Sequence, residues 1–217
     1  LPSKKPVSPK KKIVLLAALP VRDDLPLDQQ RGFIARRHKA IEGQIEAHDM
    51  NWVHVRSNML MSNAFFEFLP QLRSGDVYRG AYPDSTSAPV DQRDVAAVAA
   101  VGMLTDDYVG HRLKLTGPES LTERQKIQTI GEAIGRQFLF EELTEAEAKA
   151  ILIASFPVQH SNGLAEDHLD IVFRYMAESV GKPAEILDTV ETVVKREAYS
   201  YAHWANARAD TLSQALI

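Results

Sequence analysis

His38 and Glu42 lie four residues apart in a stretch that reads as helix, which places them on one face, one turn from each other. An imidazole beside a carboxylate is a simple arrangement for moving a proton near neutral pH. Ile34, Ile41 and Ile45 share that face. Apolar surroundings favour the neutral ring while Glu42 favours its cation, so the two effects oppose and the sequence leaves the sign open. The plainer alternative is a packed histidine and a glutamate that pins its helix through an ion pair. Arg56, at the end of a strand-like segment, either anchors an anionic ligand or pairs with an acid. Met61 and Phe65 belong to a Met/Phe-rich stripe over residues 59–69, which suits a core or the wall of a pocket for a flat organic molecule. Asp94 precedes an Ala/Val-rich run and reads as a helix N-cap.

Several other chemistries have no support in these residues. His-x-x-x-Glu lacks the second histidine of a zinc-protease motif and no third ligand is evident, so no metal site is expected. Gly-x-Ser-x-Gly, a P-loop and Gly-x-Gly-x-x-Gly are all missing; the 11 glycines are scattered and none precedes residue 32. With no cysteine there is no thiol nucleophile or disulfide, which fits a reducing compartment, and a cytoplasmic location is the expectation. Lys plus Arg number 25 against 29 Asp plus Glu, a net charge of −4 that gives no reason to expect a nucleic-acid partner. The longest apolar run, residues 13–19, is too short to span a bilayer, so no membrane partner is expected. Lysines in residues 1–12 ahead of that run imitate a secretory signal, but Arg22, Asp23 and Asp24 follow at once without a small-x-small cleavage site.

The elements that must position these residues follow from patterning. Residues 1–12 are a basic flexible lead-in, and 13–19 are a continuous apolar run that reads as a parallel-sheet strand buried on both faces. A helix over 33–47 and a strand over 52–56 complete a right-handed βαβ unit. Residues 58–72 read as helix, 75–89 as loop, and 95–104 as a helix apolar nearly all round and hence buried. A strand is predicted over 112–116 and another over 138–143. Ser120 and Glu123 have capping-box spacing and open a helix that Gly135 closes; Thr144 and Glu147 form a second box. Helices over 164–180, 185–194 and 203–216 follow. A chain of 217 residues with 45% hydrophobic content buries a core without staples.

The order of these segments resembles the NmrA-like atypical short-chain dehydrogenase/reductases. The resemblance covers about residues 12–210. It is carried by Lys12-Ile-Val-Leu-Leu-Ala-Ala-Leu19, Arg37-His-Lys-Ala-Ile-Glu42, Trp52-Val-His-Val-Arg56 and Asn58-Met-Leu-Met-Ser-Asn63, and most specifically by Val90-Asp-Gln-Arg-Asp-Val-Ala-Ala97 and Leu115-Thr-Gly-Pro-Glu119. It implies an α/β fold: a partial Rossmann-like parallel sheet of few strands with helices on both faces over 13–116, then a mainly helical substrate-binding or lid region over 117–217. It also implies a small-molecule substrate, carbonyl or quinone-like, bound by Arg56, Met61, Asn63, Phe65, Phe156 and Trp204, with His38 and Glu42 as the catalytic pair. The cofactor it implies is NADP(H) or NAD(H), by resemblance only. The family's first four strands and its glycine-rich phosphate loop have no counterpart here, and His38 and Glu42 replace the Tyr-x-x-x-Lys of orthodox relatives.

Those departures leave three functional readings. The first is an NAD(P)H-linked reductase, provided the phosphate loop comes from elsewhere. The second is a cofactor-free isomerase, cyclase or dehydratase that uses His38 and Glu42. The third is a non-enzymatic regulator that senses redox state or binds a partner. An apolar strand at 13–19 needs neighbours on both edges, and an uncovered edge pairs with another molecule. Because the chain begins with Leu1, the expectation is a truncated member whose N-terminal half covers that edge, or else a short member that forms a homodimer.

Overall fold

The structure, a computed structural model, describes residues 10–155 and 164–217. In chain order the elements are β1 (Lys12–Ala18), α1 (Gly32–Glu46), β2 (Asn51–Ser57), the short helices α2 (Ala64–Glu67) and α3 (Leu69–Leu72), β3 (Val77–Gly80), β4 (Thr86–Ser87), α4 (Gln92–Leu104), β5 (His111–Leu115), β6 (Leu121–Thr122), α5 (Glu123–Ile134), β7 (Leu139–Glu142), α6 (Glu145–Ser155), α7 (Leu164–Ser179), α8 (Thr189–Val194), α9 (Tyr201–Asn206) and α10 (Ala209–Ala215). β1, β2 and β5 form a parallel three-stranded sheet in that order, with Leu16 opposite Val55 and Val55 opposite Leu113. The fold is therefore the expected α/β arrangement with helices on both faces. β3 and β4 lie within residues 75–89, which had read as loop, and form small ladders with β7, in the strand expected over 138–143, and with β6.

Side chains alternate across a strand, so β2 sends Val53 and Val55 to one face and Trp52, His54 and Arg56 to the other. The valine face packs with Leu113 and Leu115 under Val95 and Val98 of α4. Gly102 lets that helix approach: a Cβ there would sit 3.3 Å from Val53 Cγ1. The opposite face meets α1, whose buried residues are Gly32, Ala35 and Glu42, while Ile34 is exposed. The expected apolar face of α1 is thus rotated, because a buried carboxylate at 42 has a partner on β2 and Ile34 has none.

β1 differs from expectation too. It is an edge strand, paired on one side only among the described residues, and Leu16 is 51% exposed rather than buried. The helix expected to be buried all round is likewise open on one side, with Met103 47% and Leu104 83% exposed. Its cap is Asp91, whose side chain accepts from the Arg93 N–H, not Asp94. The capping box of α5 is Thr122 with Gln125, two residues beyond the expected one; the Thr144 and Glu147 box forms as expected. The helix expected over 58–72 breaks at Phe68, ahead of Pro70, and that over 185–194 shortens to α8.

The two most specific motifs fasten the C-terminal segment to this sheet. Asp94 Oδ2 accepts from the Tyr199 N–H, Glu119 Oε2 from Tyr201, Thr116 Oγ1 from Leu187 and Ser120 Oγ from Ala184. Gly117 is required because a Cβ would fall 1.9 Å from the Pro89 carbonyl oxygen. A second core then joins Met61, Phe68, Leu69 and Tyr78 to Ile127, Ile130, Trp204 and Leu212, so packing crosses residue 117 freely.

Candidate functional site

Arg56 is the last residue but one of β2, at the carboxyl end of the sheet, where open α/β sheets bind ligands. Its side chain is fully buried, and all five of its N–H groups are engaged. Nε donates to Glu42 Oε1 at 2.9 Å and Nη2 to Glu42 Oε2 at 2.6 Å. Nη2 and Nη1 form a second fork to Asp23 at 2.7 and 2.9 Å, and Nη1 also reaches the Val21 carbonyl at 3.3 Å. Such two-pronged charge-assisted bonds fix geometry as well as charge. Of the two roles open to Arg56, pairing with acids is the one realised. Asp23, held by Arg56 and helped by Arg112 and Lys39, sits below the ordinary carboxylate range.

Glu42, 1% exposed, spends both oxygens on Arg56. With both oxygens taken by Arg56, Glu42 ties α1 to β2 and is not free beside His38, as a proton-transfer pair would need it to be. His38 itself is half-buried, and its Nδ1 is buried without a hydrogen-bond partner. Burial pushes the His38 ring below its usual pKa; Glu42 pulls the other way and Arg37 adds to the lowering. The opposition left open by the sequence is settled by desolvation, and the ring is neutral at pH 7.

Further along the same face lies a part of the site that sequence reasoning missed. His54 Nε2 and Arg112 Nη2 both reach Glu46 Oε1, at 3.1 and 2.5 Å, and Trp52 stacks on His54 with ring centroids 4.4 Å apart. The buried His54 ring is also held below its usual pKa, chiefly by desolvation. The available signal was the alternation Trp52-x-His54-x-Arg56 facing Glu42 and Glu46, again four apart. Ligand atoms of Glu42, Glu46 and His54 come within 4.8 Å of one another, a spacing that suits a cation. Two guanidiniums already hold that position: the carboxylates of Asp23, Glu42 and Glu46 face Arg56, Arg112 and, at 3.8 Å from Asp23, Lys39.

The remaining predicted residues fall elsewhere. Met61 (1% exposed) and Trp204 (0%) are enclosed in the second core, and Phe65 packs edge-on against Trp204 with centroids 6.1 Å apart. Close packing makes Met61 and Trp204 core residues rather than pocket walls. Asn63 donates to Glu67 Oε1 at 3.3 Å. Phe156 lies outside the described residues. A cleft of about 210 Å³ opens beside β1 instead, lined by Leu16, Val55, Leu60, Gln92, Val95, Ala96 and Ala99.

No protein-family model matches the chain. It is 31% identical over 181 residues to the (4-alkanoyl-5-oxo-2,5-dihydrofuran-3-yl)methyl phosphate reductase of Streptomyces griseus, a match that covers 83% of this chain and 61% of that relative. Among solved structures, an NADPH-dependent quinone oxidoreductase of Escherichia coli superposes with a TM-score of 0.69 at 20% identity, covering 91% of this chain and 67% of the other. The negative transcriptional regulator NmrA, solved with NAD, does so with a TM-score of 0.62 at 13% identity, covering 94% and 66%. The chain shares the fold of NmrA and of that quinone oxidoreductase. It carries the parallel sheet and the helical region after it, and spans about three-fifths of the length of that Streptomyces relative. No helix among the described residues is long and apolar enough to cross a membrane.

Proposed function

We propose that this chain is the substrate side of an NAD(P)H-dependent reductase acting on a small, flat, conjugated acceptor, quinone-like or carbonyl in character. The observation that carries this reading is the 31% identity with a reductase named for an unsaturated furanone phosphate. The fold shared with a quinone oxidoreductase supports it. A nicotinamide cofactor supplies hydride in such a reaction. The residues present do not fit its phosphate end: no glycine precedes residue 32, and β1 is an edge strand with no glycine-rich turn among the described residues.

What these residues do is hold and orient. Asp23 and Glu42 clamp Arg56, which ties the segment after β1 to α1 and β2 at the carboxyl end of the sheet. His38, neutral and one turn from that clamp, is the group that can give an N–H to an acceptor oxygen and hold a proton there. Arg56 and Glu42 are positioning residues in this reading.

The test is a pair of titrations of the chain, one with 1,4-naphthoquinone and one with NADPH, followed by the fluorescence of Trp52 and Trp204. Saturable quinone binding in the micromolar range, weakened in His38→Gln while its melting temperature holds, supports the reading. Saturable NADPH binding besides would extend it to the whole reaction. No quinone binding at the solubility limit overturns it, whatever the cofactor does.

A further inference from the structure

The second core closes over a small group of charges. Lys126, on α5, is 1% exposed. Its ammonium donates to Glu123 Oε1, one turn back on the same helix, and to Ser87 Oγ of β4 at 3.2 Å. It also lies over the Phe68 ring, 5.6 Å from the centroid. Glu67, at the end of α2, faces that ammonium and the Glu123 carboxylate, and accepts from Asn63 Nδ2 at 3.3 Å. Tyr78 of β3 and Tyr201 of α9 complete the set; burial pushes both phenols up, so they stay neutral. Among the described residues, then, two carboxyls share one cation in a space walled by Met61, Phe68, Ile127 and Trp204. An ammonium already bonded to Glu123 and Ser87 does not neutralise a second carboxylate, which leaves Glu67 as the group that keeps a proton.

We propose that this group is a pH-sensitive latch: while Glu67 carries a proton, residues 61–72 stay docked on α5 and α9, and loss of that proton favours their release. The segment is built to respond. α2 and α3 have four residues each and meet at Phe68, so neither helix holds itself together. Their anchors are Phe65, edge-on to Trp204, and Phe68, edge-on to Tyr78 with centroids 5.3 Å apart, and Glu67 lies between the two in sequence. Burial and Glu123 push the docked Glu67 carboxyl up to about 7, whereas in the released segment it returns to the ordinary value near 4.5. The docked state therefore binds the proton more tightly than the released one. Release becomes easier as pH rises from about 4.5 to about 7, and gains nothing further once Glu67 is ionised in both states. The residue keeps some exposed surface, so its proton exchanges with solvent. Release is felt at the carboxyl end of the sheet, since residues 58–63 run on from the end of β2 to Asn63, whose amide is tied to Glu67.

Hydrogen–deuterium exchange, read peptide by peptide from about pH 5 to about pH 8 and corrected for the intrinsic pH dependence of amide exchange, tests the latch. Protection over residues 61–72 should lie below that of β2 at every pH, because the segment opens without the rest of the molecule. It should fall at least about tenfold between pH 5 and pH 7 and level off above that. In Glu67→Gln the fall should vanish. In Glu123→Gln, which frees Lys126 to neutralise Glu67, it should shrink at least about threefold. A wild type whose protection does not change with pH overturns the proposal, as does a fall that persists in Glu67→Gln or is undiminished in Glu123→Gln. Equal protection over 61–72 and β2 overturns it too, since the segment would then open only with the whole molecule.

Discussion

On the α4 side of β2, Val53 and Val55 pack dry against Leu113, Leu115, Val95 and Val98. On the α1 side, one residue along the same strand, His54 and Arg56 are just as fully buried, yet they are held by Glu42, Glu46 and Asp23. The dry face is stabilised by area and close packing, so losses there should be graded with the volume removed. The charged face depends on completeness. Each ion gave up its hydration, so losing one partner costs more than the pair was worth.

The sharpest break in that comparison is Arg56→Met. It strands the buried Glu42 carboxylate, and urea unfolding should show a loss of about 3–5 kcal/mol. Adding Glu42→Leu should recover a large part of it, since replacing a buried pair is often nearly neutral. On the dry face, Leu115→Ala should cost about 3 kcal/mol in the same measurement, and no second substitution should rescue it.

The second core sharpens the contrast from another side. Burial and the nearby Glu123 push the Glu67 carboxyl up to about 7, against the pull of Lys126 and Asn63. Its folded pKa lies above the unfolded one, so the cost of ionising it grows as pH rises from about 4.5 to about 7. Glu67→Gln should therefore be about 1–2 kcal/mol more stable than wild type above pH 7 and equal to it near pH 4, by denaturant titration at each pH.

The charged face should show the opposite sign. His38 and His54 are held below the ordinary histidine pKa of about 6.5, so stability is lost as pH falls below that, where the unfolded chain takes up protons the buried rings resist. Asp23, also lowered, adds a loss at lower pH, where its carboxylate protonates and releases Arg56. Melting temperature between pH 7 and pH 5 should fall for the wild type and less for His54→Phe. The smallest effect belongs to Asp23→Asn, under about 1 kcal/mol at neutral pH because half of that side chain faces water.

Local patterning carried much of the architecture. The run at 13–19, the helix around His38 and the strand at 52–56 sit within a residue or two of β1, α1 and β2, and the Thr144 box and the Gly135 stop were legible from side-chain chemistry alone. The errors share a cause. Asp94 and Asp91 are both competent caps three residues apart, and only the approach of residues 196–199 decided that Asp94 would hold that segment instead. Ile34 is apolar and exposed, whereas Glu42 is charged and buried, because Arg56 lies 14 residues away in sequence and within hydrogen-bond reach in space.

By itself the sequence determined which segments are strands and helices, that a His and a Glu share one turn of α1, and that the dinucleotide phosphate loop is not among these residues. Those properties are set within a few residues of each position, by side-chain alternation, capping groups and glycine. Tertiary structure alone decided that Glu42 belongs to Arg56 rather than to His38, that Met61 and Trp204 are core rather than pocket, and that Asp94 holds the segment at Tyr199 rather than capping α4. Each of these depends on what desolvates or neutralises a side chain, and the group that does so is brought there by the fold from a distant part of the chain.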